Sequence, residues 1–230
     1  MIIGNKISFD IVIEFEPREF RDIHESINEE EYDSYVSNGC WGKFYKSSLE
    51  KIGILNSNFI YDNSWLISID EFNYNDLKKL IKWYLNSKIK NDPDYNDINN
   101  IILYEYSLYN FFNGGYCLKN NGDYVILPNC CCRFESITDW EKIINEKSLS
   151  WDMIWIGHPW IHYKIVDKMV IFSDYNEGRE ITERFSVDEN KLKKEIKLTK
   201  KKIKNFIKLL SKILFELSKE MALNISIINE

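Results

Sequence analysis

Side chains able to do chemistry gather in two short stretches of this sequence. One is the triplet Cys130-Cys131-Cys132. The other is WDMIWIGHPW, residues 151–160, with three tryptophans, one glycine, one histidine and one proline in ten positions. Zinc is held by four thiolate or imidazole ligands in a tetrahedron, usually as pairs such as C-x2-C with a second pair elsewhere. Neighbours on a strand face opposite ways, so within the triplet only Cys130 and Cys132 share a side. His158 and His162 would then complete a four-ligand set, and the chain would be a metal-binding protein or a zinc hydrolase. The competing reading is that cysteine packs as a small hydrophobe after Pro128, and we take it as the expectation, with no metal and no cofactor. A reactive thiol needs an electropositive setting, and only Arg133 and the helix after it offer one.

His158 precedes Pro159, which disfavours helix and places the histidine at the end of an extended segment. Gly157 allows an unusual turn just before it. Trp151, Trp155, His158 and Trp160 are therefore candidate partner contacts, set against the plainer role of a strand closing on a rigid corner. If Asp167-Lys168 is a two-residue turn, Val166 faces Met169 and His162 faces Ser173. Asp174 points the other way, and a Ser/His/Asp site needs all three to converge on an oxyanion hole. No G-x-S-x-G elbow is present, so we read a cross-strand polar pair and no catalytic residue.

Charge is unevenly spread. Residues 10–33 are acidic, with Glu14, Glu16, Glu19, Asp22, Glu25, Glu29, Glu30, Glu31 and Asp33. This run suits a basic protein partner, and Glu29, Glu30 and Glu31 are its candidate contacts. Lysines crowd 191–204, opposite a regular apolar stripe, which reads as the solvated side of an amphipathic helix. No arginine cluster or interleaved aromatic residue points to base stacking.

These residues need elements to position them. Ile7–Phe15 alternates apolar and polar residues, the period of a half-buried strand. Phe20–Val36 is an exposed helix or a loop. Trp41–Tyr45, Lys51–Leu55 and Trp65–Ile69 read as short strands. Leu77, Leu80, Ile81, Tyr84 and Leu85 form a helical stripe over Leu77–Ile89, capped by Asn73 or Asn75. Asn91–Asn100 is a polar loop and the one weak domain boundary in what reads as a single domain. Ile101–Phe112 is helix or strand, and Asn113-Gly114-Gly115 breaks it. Tyr124–Leu127 is a strand. Ser136–Lys147 is a helix with Ser136 and Asp139 as a near-capping box. Trp151–Gly157, Ile161–Val166 and Met169–Phe172 are strands, the last two forming a hairpin. A long amphipathic helix over 188–222 starts from a Ser186/Glu189 box.

The chain has 230 residues, 44% of them hydrophobic and 15% aromatic, with a net charge of −6. A chain of this size buries roughly three quarters of its unfolded surface and needs no staples. Five cysteines, an odd number that includes Cys40 and Cys117, suit no ordinary disulfide framework, and reduced thiols in a cytoplasm are expected. No stretch approaches the roughly 20 apolar residues of a membrane span. The start resembles no signal peptide, and the net charge gives no overall attraction to nucleic acid or membrane. Phosphate-loop, dinucleotide, zincin, EF-hand and kinase patterns are absent. The fold class expected is α+β, a twisted, mostly antiparallel sheet with flanking helices and a long C-terminal amphipathic helix.

Phe111–Asn113 with Gly114-Gly115, then a short strand, Pro128 and a helix carrying Trp140, resembles the core of the SUKH-type immunity proteins of bacterial polymorphic-toxin systems. The PNCCC stretch and WIGHPW are also similar to pieces of small bacterial immunity proteins. The resemblance spans about residues 100–185, while the strand-rich first 70 residues depart from the helix that opens that pattern. It implies an α+β fold and a protein that binds and neutralises a cognate toxin, and it assigns no contact residue.

Overall fold

The computed structural model describes residues 2–14, 41–54, 66–91, 105–146, 148–178 and 180–228. In chain order the elements are β1 (Ile2–Gly4), β2 (Ile7–Glu14), α1 (Trp41–Lys51), β3 (Leu66–Ser68), α2 (Tyr74–Asn91), α3 (Glu105–Tyr109), β4 (Gly114–Asn120), β5 (Asp123–Ile126), α4 (Ile137–Asn145), β6 (Asp152–Ile154), β7 (Ile161–Val166), β8 (Met169–Ser173), β9 (Glu183–Asp188) and α5 (Glu189–Ile228). The fold is α+β with a long C-terminal helix. Two compact units divide it: residues 1–13 with 112–205, and residues 14–111 with 206–230. The boundary expected at 91–100 lies, apart from Asn91, outside the described residues, as do Phe20–Val36 and Glu29, Glu30 and Glu31. No described helix is long and apolar enough to cross a membrane.

The first unit carries a five-stranded sheet in the order β1-β9-β8-β7-β6. Only the β1–β9 pair is parallel. The β7–β8 hairpin has the expected register, Val166 opposite Met169 and Tyr163 opposite Phe172. Asp167 and Lys168 both adopt positive φ, 49° and 65°, the geometry a two-residue hairpin turn demands. On edge strand β6 the Met153 N–H donates to Asp152 Oδ1 at 2.8 Å, which occupies one backbone donor of the edge. Trp140 sits in the middle of the core, with Phe9 at 4.8 Å and Phe172 at 5.9 Å between ring centroids.

Within this unit β2, β4 and β5 also pair antiparallel, from Ile7 opposite Asn120 to Ile13 opposite Gly114. Asn113-Gly114-Gly115 was expected to interrupt the chain; instead the strand starts at Gly114. The glycines are there because backbone and side chains come too close for anything larger. A Cβ on Gly114, at φ 146°, would lie 2.1 Å from the Val12 carbonyl oxygen, and one on Gly115 would lie 2.8 Å from Cys132 Sγ. Asn121-Gly122, at φ 54° and 98°, turns β4 into β5. The polar side of β2 is more buried than its alternation suggests. Asp10 accepts a bond from Tyr124 Oη at 2.9 Å and pairs with Lys119. Burial, with a smaller push from the Asp10 charge, raises the Tyr124 phenol to about 12.

Both expected capping boxes are corrected. Ser136 is already helical, the last residue of a 3-10 turn over Phe134–Ser136, and makes no cap bond. Its hydroxyl accepts the Cys132 thiol at 3.4 Å. Ser186 is buried inside β9, and Asp188 caps α5 by accepting the Lys191 N–H at 2.9 Å. An aspartate at the N-cap satisfies an orphan amide and opposes the positive end of the helix dipole. Trp151–Gly157 also shortens, to strand over Asp152–Ile154 alone.

In the second unit the strand expected at Trp41–Tyr45 is replaced by helix α1, and the one expected at Lys51–Leu55 by the last residue of that helix and a turn over Ile52–Gly53, with Leu55 outside the described residues. A short aromatic run has no periodicity long enough to separate strand from helix. Backbone bonds from Gly53 to Glu50 and from Ile54 to Leu49 close the helix, with Gly53 at φ 84°; this is the Schellman C-cap pattern. Helix α2 buries Leu77, Leu80, Ile81, Tyr84 and Leu85 as its stripe requires. Asn73 Oδ1 caps it by accepting the Asp76 N–H at 3.0 Å. The undecided segment 101–112 contains α3, followed by buried Phe111.

Gly114→Ala is expected to cost roughly 3 kcal/mol or more, combining steric overlap with a disfavoured backbone. Gly122→Ala meets no atom within 4 Å and should cost only about 1–2 kcal/mol, for the left-handed backbone alone. Urea denaturation of both variants measures the difference.

Candidate functional site

Three of the four aromatic candidates converge. The Trp155 and His158 rings lie 4.8 Å apart, His158 and Trp160 5.3 Å, and Trp155 stacks on Trp160 at 6.3 Å with 25° between planes. His158 is exposed, while both tryptophans are half-buried. Trp151 stands apart from this trio and instead carries Lys164 Nζ over its ring at 4.5 Å.

The chain holds the trio in place through its backbone. The Asn129 N–H donates to Ile156 O at 2.6 Å and the His158 N–H to Cys130 O at 3.2 Å. Asn129 Nδ2 donates to Pro159 O at 2.6 Å, beyond a cis His158–Pro159 peptide. Gly157, at φ 95°, is required, since a Cβ there would lie 2.3 Å from Cys130 O and 2.4 Å from Asn129 O. On the other side the Asn176 N–H donates to Trp160 O at 2.9 Å.

Beside the aromatics is an open hollow of about 440 Å³ lined by Pro159, Asp174, Tyr175, Asn176, Glu177, Glu180 and Thr182. Three carboxylates belong to it. Glu177 lies 3.4 Å from His158 Nδ1. Asp174 lies 3.6 Å from Arg184 Nε and accepts the Thr182 hydroxyl at 3.2 Å. Glu180 is exposed. Tyr175 also lines it: its hydroxyl accepts the Leu127 N–H at 2.8 Å and burial pushes its phenol up. Sequence reading missed this rim. Its one local trace is the turn-forming Asn176-Glu177-Gly178, which does not say what the loop faces.

The metal candidates separate. Cys130 and His158 are brought together as an isolated antiparallel bridge, with Cys130 Sγ 3.5 Å from the His158 carbonyl oxygen. Cys132 turns inward and is fully buried. Cys131, at φ 67°, reverses the chain between them, so the triplet is not a strand and the shared side of Cys130 and Cys132 does not arise. His162 lies on β7. No group of three or more potential ligands is assembled among the described residues.

The His162–Ser173 pair forms through the backbone: the His162 N–H donates to Ser173 Oγ at 2.8 Å, and that hydroxyl donates to Asp174 O at 2.6 Å. The serine proton is thus committed to a carbonyl, not to an imidazole. His162 Nδ1 is buried without a partner among the described residues.

No protein-family model, curated protein or solved structure matches this chain. What the geometry offers chemically is recognition. Indole faces attract cations, and exposed carboxylates beside them add charge-assisted hydrogen bonds.

Burial lowers the His162 pKa below the ordinary histidine value of 6.5, against a smaller opposing pull from Asp152. The folded chain therefore resists a proton that the unfolded chain accepts. Stability from this group is complete above 6.5 and falls as pH drops from there toward the lowered folded value. The urea midpoint should drop between pH 7.5 and 5, and His162→Phe should make that drop smaller.

Proposed function

We propose that this chain is a binding protein whose Trp155–His158–Trp160 platform and acidic rim receive a basic protein, and that the basic protein is a toxin it neutralises. The observation that carries the reading is a hollow rimmed by Asp174, Glu177 and Glu180 next to the half-buried indoles, joined to them by Pro159 in its lining and by the Glu177 contact with His158. Tryptophan anchors flanked by charge are the usual centres of binding energy in protein interfaces, and opposite charge steers the encounter. The immunity role follows the resemblance to SUKH-type proteins, and the cytoplasm is where such a protein would meet its toxin. The reading requires no catalytic group, metal or cofactor.

Co-expression with a toxin encoded in the adjacent reading frame tests it. The wild-type chain should restore growth and co-purify with the toxin. Trp155→Ala and Trp160→Ala should each cost about 2 kcal/mol of binding, roughly 30-fold in Kd, and Glu177→Lys should slow association. Growth arrest undiminished by the wild-type chain would refute the immunity role. Binding that survives all three substitutions would refute the platform.

A further inference from the structure

The net charge conceals a strong segregation. Residues 191–204 hold eight lysines and one glutamate, a surplus of seven positive charges, so the rest of a chain at −6 carries −13. The helix cannot turn these lysines elsewhere, because Leu192, Ile196 and Ile203 are buried on its inner side. Lys194, Lys197, Lys201 and Lys204 are all exposed and recur at spacings of three, four and three, which places them on one face. None of the four has an ion-pair or hydrogen-bond partner among the described residues, whereas nearby Lys200 pairs with Glu141 and Lys191 reaches Asn5 O. Leu198, 52% exposed, lies among them.

Like charges three and four residues apart on a helix each cost about 0.2–0.5 kcal/mol. The chain is rich in glutamate elsewhere and places none in this row. A rigid line of uncompensated positive charge fits an anionic polymer. Ten residues of helix extend about 15 Å, and phosphates along one strand of a duplex advance about 3.4 Å each, so the row runs beside about four of them. A lipid surface fits less well, since the apolar stripe that would enter it is already in the core. With no arginine in the row, contacts would go to phosphates and not to base edges.

We propose that the Lys194–Lys197–Lys201–Lys204 face of α5 is a docking surface for the phosphate backbone of a nucleic-acid duplex. It binds without sequence preference, and it shares no residue with the aromatic platform.

Fluorescence anisotropy of the full chain with a short duplex DNA is the test. Four phosphate contacts give a log–log salt slope near −3.6, roughly a 150-fold loss of affinity between about 50 and 200 mM salt. Joint Lys→Gln substitution at the four positions should abolish binding, with unchanged helical circular dichroism and an equal or higher urea midpoint. Joint Lys→Arg substitution should retain binding. The proposal is overturned by absence of binding at low salt, by a Gln variant that binds like wild type, or by tighter association with phosphatidylserine vesicles than with the duplex.

Discussion

Residues 128–132 tie the Gly114-Gly115 start of β4 to the 156–159 segment, and the candidate site depends on that contact. On one side Cys132 lies against Gly115 and its carbonyl accepts the Gly114 N–H at 2.9 Å. On the other, Asn129 and Cys130 bond to Ile156, His158 and Pro159. A segment that packs this closely on both flanks leaves no room for a Cβ at Gly115, against Pro128 and Cys132, or at Gly157, against Asn129 and Cys130. Both glycines are therefore fixed by residues 128–132, whereas Gly114 is fixed by the Val12 carbonyl of β2. The cysteines fill small volumes in this joint: Cys132 is sealed against Ser136, and Cys130 presents its thiol to the His158 carbonyl.

That joint explains why the aromatic trio can serve as a platform. Indole rings on a free loop would lose contact energy to ordering. Here the strand end at Ile154, the bonds to 129–130 and the bridge from Trp160 to Asn176 determine where the rings stand before any partner arrives. The same bridge brings Asp174, Glu177 and Glu180 alongside, so the hollow they rim lies next to the indoles. The proposed platform and the proposed docking face of α5 carry opposite charges, on segments well separated along the chain.

Much of the fold was readable wherever a periodic pattern ran long enough. The alternation at Ile7–Ile13, the stripe of α2, the β7–β8 register and the final helix all came from spacing alone. The failures share a cause. Trp41–Tyr45 is too short for its period to be decisive, and the structure places it in the first turns of α1. Gly114-Gly115 looks like a break because glycine is permissive, and only the Val12 carbonyl beside it shows a strand. The two S-x-x-E-like boxes fit the motif, but Ser186 is occupied as a buried strand residue and Ser136 as an acceptor for Cys132.

The sequence by itself determined the class of fold, the amphipathic helices, the hairpin turn and the presence of an unusual Trp/His segment, because these depend on residues near one another along the chain. Tertiary structure alone decided that Trp155, His158 and Trp160 meet while Trp151 does not, that Cys130 reaches His158 while Cys132 is buried, and that Asp174, Glu177 and Glu180 complete the hollow. Those outcomes rest on close approaches between segments far apart along the chain, such as Asn129 to Pro159 and Trp160 to Asn176. No local spacing encodes a contact of that kind.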